Sequence, residues 1–128
     1  MRKIGAVSVV VRDYDEAIAW YARCLNFAVL ADTDLGGGKR WVLVAPAHDA
    51  ATPLLLAQAS ASEQSARIGD QTGGRVFLFL HTDDFARDHA HMLAQGVKFH
   101  EAPRHEAYGT VAVFEDLYGN KWDLLQLK

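Results

Sequence analysis

Residues 114–127 read FEDLYGNKWDLLQL, and this stretch predicts a β-hairpin. Residues 112–114 end an apolar run that is typical of a strand, and residues 122–127 form a second such run. Residues 116–120, DLYGN, lie between them and favour a turn, because Gly and Asn tolerate positive φ and Asp can bond the backbone that follows it. The stretch therefore predicts two strands joined by a tight turn.

Asp123 is a carboxylate within the apolar run of the second strand. Burying a carboxylate without a partner costs free energy, so we expect its side chain to face water, a cation or a cavity. An ion pair with Lys121, Arg75 or another basic residue is the structural alternative. Asp123 is the leading candidate for a site residue.

The composition is that of one globular domain. The chain has 128 residues, of which 50% are hydrophobic and 23% charged, with a net charge of −3. This balance argues against a generic surface for nucleic acid or anionic membranes. No apolar run approaches the roughly 18 residues of a membrane-spanning helix. One cysteine, Cys24, excludes an internal disulfide, and we expect a buried side chain in a cytoplasmic protein.

Two amphipathic helices are predicted, one in each half of the chain. Asp13 precedes the first helix, and Glu16 stands at capping-box spacing from it. Asp83 or Asp84 caps the second helix. Helical spacing predicts buried stripes of Tyr14, Ala17, Ile18, Tyr21 and Leu25 in the first helix, and of Phe85, His89, Met92 and Leu93 in the second.

The order of elements repeats at an offset of about 70 residues, which indicates internal duplication. Each half reads as strand, helix and three strands: module 1 spans about residues 1–58 and module 2 about residues 75–128. Residues 59–74 form a connector that carries one short helix. Neither half could bury the apolar face of its sheet alone, so we expect the halves to pair. The predicted strands are residues 5–11, 27–31, 40–45, 54–57, 75–80, 97–100, 110–115 and 122–127.

Three strings in these modules resemble the vicinal oxygen chelate superfamily, which includes glyoxalase I, extradiol dioxygenases and bleomycin-resistance proteins. They are VVVRDYDEAIAWYARCLNF, TDDFARDHAHMLAQGVKF and YGTVAVFEDLYGNKWDLLQL, and they cover most of the chain. The resemblance implies an α+β fold in which two βαβββ modules form a paired, half-barrel-like sheet around a cavity. It does not select one activity.

In the metal-dependent members of that superfamily, each module contributes two ligands, usually a His in its first strand and a Glu in its last. Carried over, the His positions fall on Ala6 and Phe77, and the Glu positions fall among residues 53–55 and on Asp123. A single carboxylate does not hold a catalytic divalent ion against water. We therefore expect no metal and no cofactor, and a divalent metal remains the alternative.

His81 shares a strand face with Phe77, but four residues of strand span roughly 13 Å. His81 therefore lies too far from position 77 to supply a metal ligand there, since a metal–ligand bond is about 2 Å long. The remaining candidates line the cavity that the resemblance implies, and aromatic walls with a few polar groups are typical of a small-molecule site. Core packing is the alternative for Trp41 and Trp122, and a turn bond is the alternative for His81. The predicted cavity residues are Ser8, Trp41, Phe77, Phe79, His81, Tyr108, Trp122 and Asp123.

Three functions fit these observations. The first is a protein that binds a small organic molecule in the cavity without turnover, as bleomycin-resistance proteins do. The second is a metal-dependent lyase, isomerase or dioxygenase of the same superfamily. The third is a metal-free enzyme that uses Asp123 as a general base with a pKa raised by apolar neighbours. By analogy with the superfamily, we also expect a homodimer, with no nucleic-acid or membrane partner.

Overall fold

The computed structural model describes residues 1–49 and 52–128. The chain divides into two compact units, Met1–Ile68 and Gly69–Lys128. Each unit has one four-stranded mixed sheet with a helix on one face, so the predicted α+β class is confirmed. Within the described ranges, no helix is both long and apolar enough to cross a membrane.

The first unit contains six elements, which are β1 (Val7–Val11), α1 (Tyr14–Leu25), β2 (Ala28–Gly36), β3 (Lys39–Ala45), β4 (Leu54–Gln58) and α2 (Ser62–Ser65). Its sheet has the order β1-β4-β3-β2, in which β1 is parallel to β4 and the other pairs are antiparallel. Residues 37 and 38 form the turn of a long β2–β3 hairpin. Strand β2 ends five residues beyond its predicted end at residue 31.

Helix α1 covers one face of this sheet. Its N-cap is Asp13, whose side chain accepts a hydrogen bond from the Glu16 N–H at 2.8 Å. The Glu16 carboxylate pairs with Arg12 in the preceding turn. The buried stripe differs from the predicted one, because Trp20 is buried and Ile18 and Leu25 are only half-buried, whereas Cys24 is buried as expected. The buried residues of α1 are Tyr14, Ala17, Trp20, Tyr21 and Cys24, and those of the sheet beneath include Val9, Val11, Val42, Val44, Leu54 and Leu56.

The second unit contains five elements, which are β5 (Val76–His81), α3 (Phe85–Ala94), β6 (Arg104–Glu106), β7 (Gly109–Glu115) and β8 (Lys121–Leu127). Its sheet has the order β5-β8-β7-β6, with β5 parallel to β8. The predicted strand at residues 97–100 is wrong, since only Phe99 forms an isolated bridge, to Phe114. The short strand β6 forms instead, because its residues pair with the start of β7.

A series of aromatic rings joins α3 to the second sheet. His89 stacks on Phe85 and lies 4.5 Å from the Phe99 ring, measured between centroids. Phe99 contacts Phe114 at 5.7 Å, and Phe114 stacks on Trp122 at 5.8 Å. Trp122 is only 2% exposed. Aromatic contacts at these distances add specific geometry to the burial of apolar area, so they fix α3 over the β7–β8 pair.

The β7–β8 turn is organised by the buried side chain of Asp116. Its Oδ1 accepts hydrogen bonds from the backbone N–H groups of Tyr118, Gly119 and Asn120. Its Oδ2 accepts bonds from the Asn120 side-chain amide at 3.0 Å and from the Trp122 indole N–H at 3.1 Å. The carboxylate is therefore satisfied by both the turn backbone and the core of the sheet.

The same turn holds the start of the second unit. The Asn120 Oδ1 accepts a hydrogen bond from the backbone N–H of Gln71 at 3.1 Å. Gly69 has φ +76° and lies against Tyr118, so that a Cβ at position 69 would stand 1.9 Å from the Tyr118 carbonyl oxygen. Only glycine fits there without moving the backbone.

We predict that Asp116→Ala destabilises the protein by about 3 kcal/mol or more, because it leaves buried donors unsatisfied. The measurement is urea unfolding followed by circular dichroism. The matched control is Asp83→Ala, which removes only an ion pair with Arg87 on a side chain that is 90% exposed; it should cost less than about 1 kcal/mol. Equal losses for the two variants would contradict this role of Asp116.

Candidate functional site

The first sheet has a second face, opposite α1, that is apolar but only partly covered. The strand registers align Ser8, Leu55, Leu43 and Ala31 in one row across all four strands. Ser8 is exposed, and the other three residues are half-buried. Side chains in such a row are neighbours, so they form a continuous surface.

A groove of about 690 Å³ lies on this face. Trp41 projects into it from β3 and remains 44% exposed. A groove of this size, with an apolar floor and an aromatic wall, has the composition of a small-molecule site. Its lining residues are Val10, Tyr14, Leu35, Gly37, Gly38, Lys39, Arg40, Trp41, Leu55, Leu56, Ala57, Gln58, Ala59, Ser60 and Gln64.

Charged and polar groups border the groove at the β2–β3 hairpin and at α2. Arg40 pairs with Asp15 at 2.9 Å and with Asp32 at 2.7 Å, and its guanidinium lies 5.1 Å from the centre of the Tyr14 ring. The hydrogen bonds to Asp32 and Asp15 raise the pKa of Arg40, and the bond from Arg40 lowers the pKa of Asp32. Arg40 is thus held in place by carboxylates of its own unit. Lys39 is exposed and lies two residues before Trp41, on the same face of β3.

The second sheet also has a partly exposed face, opposite α3. Phe79, Asp123 and Val113 form one row across β5, β8 and β7, and the next row includes His81 and Arg104. Phe79 is 60% exposed. Three predicted site residues, Phe79, His81 and Asp123, are therefore brought together on one face.

Asp123 has an unusual environment for a carboxylate. Its Oδ1 is buried and has no hydrogen-bond partner among the residues that the structure describes. In the described part of the chain it forms no ion pair with Lys121 or Arg75, and the Lys121 ammonium donates to the Gly74 carbonyl instead. Desolvation by burial raises the pKa of Asp123, and the positive charge of Arg104 offsets part of this increase. The salt-bridge alternative is therefore wrong for these two partners.

Arg104 and Glu101 were not among the predicted site residues. Arg104 pairs with Glu101 at 2.9 Å and with Glu106 at 3.0 Å. The other oxygen of Glu101 accepts a hydrogen bond from the Val113 N–H at 3.0 Å. The spacing of Glu101, Arg104 and Glu106 is a local signal for these ion pairs. Their position beside β7 depends on the short β6 strand, which was not among the predicted strands.

The other predicted cavity residues occupy different positions. Trp122 lies on the α3 side of the sheet, in the core, which is the alternative that the sequence left open. Phe77 is at an irregularity of β5 between Val76 and Leu78, and its ring contacts Trp122 edge-on at 6.4 Å. Tyr108 is exposed in the β6–β7 turn. The cavity prediction for Trp122 is corrected by the alternation of β8, which turns Trp122 and Asp123 to opposite faces.

The positions that the resemblance assigns to metal ligands carry mostly apolar side chains. Ala6, Phe77 and residues 53–55 have no side-chain donor atom, and Asp123 has a carboxylate. Among residues 1–49 and 52–128, no three His, Cys, Asp or Glu side chains are grouped as metal ligands. A divalent ion that must compete with water needs more donors than Asp123 alone supplies.

A model of the Glyoxalase/Bleomycin resistance protein/Dioxygenase superfamily matches residues 3–124. An uncharacterized protein of Shewanella frigidimarina is 56% identical over 127 residues, which cover 98% of this chain and 94% of that protein. The solved structure of UcmS2 has a TM-score of 0.83 at 27% identity, with 98% of each chain covered. TnmS3, an antibiotic binding protein from Streptomyces sp. CB03234, has a TM-score of 0.79 at 30% identity, with 100% of this chain and 98% of that chain covered.

We predict that the ionisation of Asp123 opposes folding. Its pKa is raised in the folded state above the value of about 3.9 for an unfolded chain. The folded state therefore binds the proton more tightly, and the free energy of unfolding attributable to Asp123 falls as pH rises between the two pKa values. Asp123→Asn removes this pH-dependent contribution. The free energy of unfolding of the variant should therefore rise relative to that of wild type as pH rises from about 3 to 7.

Urea unfolding of the two proteins across this pH range provides the measurement. At the acidic end of this range, Asp123 is protonated in both the folded and the unfolded state. The stability difference between the two proteins at that pH is therefore the reference value. A stability difference that is constant with pH, or that shrinks as pH rises, would contradict the raised pKa.

Proposed function

The chain belongs to the Glyoxalase/Bleomycin resistance protein/Dioxygenase superfamily, and we propose that it binds a small, largely apolar organic molecule without transforming it chemically. The groove on the exposed face of the first sheet is the proposed site. The observation that carries this proposal is Trp41, a large aromatic side chain that stands 44% exposed in a groove of about 690 Å³. Concave apolar surfaces with a few polar groups are the usual form of a ligand site.

The energetics of the groove favour a flat, apolar ligand. Covering the exposed part of Trp41, roughly 100 Å², is worth about 2 kcal/mol. Val10, Leu55 and Ala57 provide further apolar area along the floor. Gln58 and Lys39 supply polar groups at the border of the groove. Contacts with these groups would determine the orientation of the ligand, while the apolar floor supplies the affinity.

The similarity to TnmS3 supports the same function. TnmS3 is an antibiotic binding protein, and at 30% identity it aligns with the whole of this chain. Binding without turnover requires a shaped apolar site and no reactive constellation, which agrees with Ala6 and Phe77 at positions where metal-dependent members carry His. These observations therefore support a binding protein over a metal-dependent enzyme.

A metal-free enzyme that uses Asp123 as general base is the second candidate. It is favoured by the desolvation that raises the pKa of Asp123, since a base is most effective when its pKa approaches the working pH. If this candidate holds, Asp123→Asn abolishes conversion of a bound compound and leaves its affinity intact. Recovery of the compound unchanged after prolonged incubation with wild type supports binding alone.

We also propose a cytoplasmic homodimer. The one cysteine of the chain, Cys24, is buried and unpaired, as suits a reducing compartment. Each four-stranded sheet has edge strands within its own unit, and unpaired edges favour association. Sedimentation equilibrium should give twice the 14.1 kDa chain mass. A monomer mass at every concentration tested would contradict the dimer.

We predict that Trp41→Ala weakens binding of anilinonaphthalene sulfonate by about tenfold, because a central aromatic contact is lost. Trp41→Phe should retain most of the affinity, since a ring still covers the groove. Isothermal titration calorimetry measures the affinities. In wild type, the bound probe should also quench the fluorescence of Trp41, which is far more exposed than Trp20 and Trp122.

The matched control for this experiment is Ile4→Ala. Ile4 is an exposed apolar residue of the same unit that does not line the groove. Its truncation should leave the affinity within twofold. Equal effects of Trp41→Ala and Ile4→Ala would argue against the groove as the binding site, and so would complete absence of probe binding.

A further inference from the structure

We propose that the side-chain amide of Gln64 determines which ligands the Trp41 groove prefers, by donating a hydrogen bond to a carbonyl oxygen on an aromatic molecule. This inference rests on the proposed function of the groove and adds the chemical class of its ligand. Gln64 lies on α2, and Ser60 lies in the connector between β4 and α2. Both residues line the groove, although neither belongs to the sheet.

The connector has a defined position at the end of β1. The Ala59 N–H donates a hydrogen bond to the Val11 carbonyl at 3.0 Å. The side-chain amide of Gln58 donates to the Arg12 carbonyl at 3.2 Å. These two bonds hold the backbone on either side of the β4 end, so Ser60 follows from a fixed point beside the groove.

The orientation of the Gln64 amide follows from its two bonds to Ser60. The Gln64 Oε1 accepts hydrogen bonds from the Ser60 backbone N–H at 2.8 Å and from the Ser60 hydroxyl at 3.1 Å. A backbone N–H can only donate, so the amide atom that faces it must be the oxygen. The amide nitrogen of Gln64, with its two N–H groups, is therefore directed away from Ser60.

These N–H groups are available to a ligand. In the part of the chain that the structure describes, the Gln64 side chain bonds to Ser60 alone, and only through its oxygen. Arg40, which also borders the groove, is already engaged by Asp15 and Asp32. A side chain that is held before binding loses little conformational freedom when it contacts a ligand. Gln64 thus offers an oriented donor at low entropic cost.

An oriented N–H donor at the edge of an apolar groove matches an aromatic carbonyl compound. The ring would cover Trp41 and the groove floor, as in the proposed function. A carbonyl group conjugated with that ring lies in the ring plane, and its oxygen accepts hydrogen bonds close to this plane. A ligand without an acceptor would take the Gln64 amide out of water and return no hydrogen bond.

The experiment compares acetylnaphthalene with isopropenylnaphthalene, in which a CH2 group replaces the carbonyl oxygen at nearly the same shape. Isothermal titration calorimetry gives the affinity of each probe, and the ratio of the two affinities is compared between wild type and variants. This comparison cancels the difference in hydration between the probes. Gln64→Glu should lower the ratio at pH 7 about fivefold or more, as expected for the loss of one hydrogen bond.

Gln64→Glu separates a donor from a structural role. Its carboxylate can still accept both bonds from Ser60, but it has no N–H to donate. Gln64→Leu removes the donor and both bonds to Ser60, and it should lower the ratio by a similar factor. Glu63→Ala is the matched control, because Glu63 is an exposed residue of the same helix that does not line the groove. The ratio for this control should equal that of wild type.

An unchanged ratio in Gln64→Glu overturns the inference. A ratio that falls in Lys39→Met and not in Gln64→Glu also overturns it, because the donor is then Lys39. Trp41→Ala should weaken both probes and preserve the ratio, since the ring contact is common to them. Failure of both probes to bind wild type contradicts the proposed function itself, whereas binding of both with the same ratio in wild type and Gln64→Glu overturns this inference alone.

Discussion

The hydrogen bonds of Asp116 are the constraint on which the second unit depends. They close the turn after β7 and fix the indole of Trp122 in the core. The register of the β7–β8 pair follows, with Phe114 opposite Trp122 and Val113 opposite Asp123. A slip of one residue would turn every side chain of β8 to the other face. One buried carboxylate thus determines that the tryptophan lies in the core and that the second carboxylate, Asp123, lies on the opposite face of the sheet.

The local patterns of the sequence predicted most of the fold, because they depend on near neighbours. The turn residues 116–120, the cap at Asp13 and the alternation in β1 all act within a few positions. The errors have a different origin. The strand expected at residues 97–100 lacks a regular partner, and β6 forms only because residues of β7 pair with it. β6 pairs with β7 across a turn of only two residues, but a strand of three residues is too short to show an alternating pattern.

For the candidate site, the sequence predicted that Trp41, Phe79 and His81 line the cavity that the resemblance implies. In the structure all three residues are exposed on the faces of their own sheets. The ion pairs of Arg104 with Glu101 and Glu106 join residues that are close in sequence, but the position of this cluster beside β7 depends on the pairing of β6. Both faces leave large apolar side chains exposed, Trp41 on the first and Phe79 on the second, and contiguous exposed apolar surface is typical of interaction sites. This shared property, more than any single residue, connects the fold to the binding function that we propose.

The measurement that tests this account most directly is nuclear magnetic resonance mapping of the amide and indole N–H signals during titration with anilinonaphthalene sulfonate. We expect the largest shifts at the Trp41 indole and at the backbone amides of Val10, Ala57 and Gln58, which line the groove. Saturable shifts confined to these positions would establish the groove as a binding site. Shifts that leave the Trp41 indole unchanged, or that spread over the surface without saturation, would contradict the account.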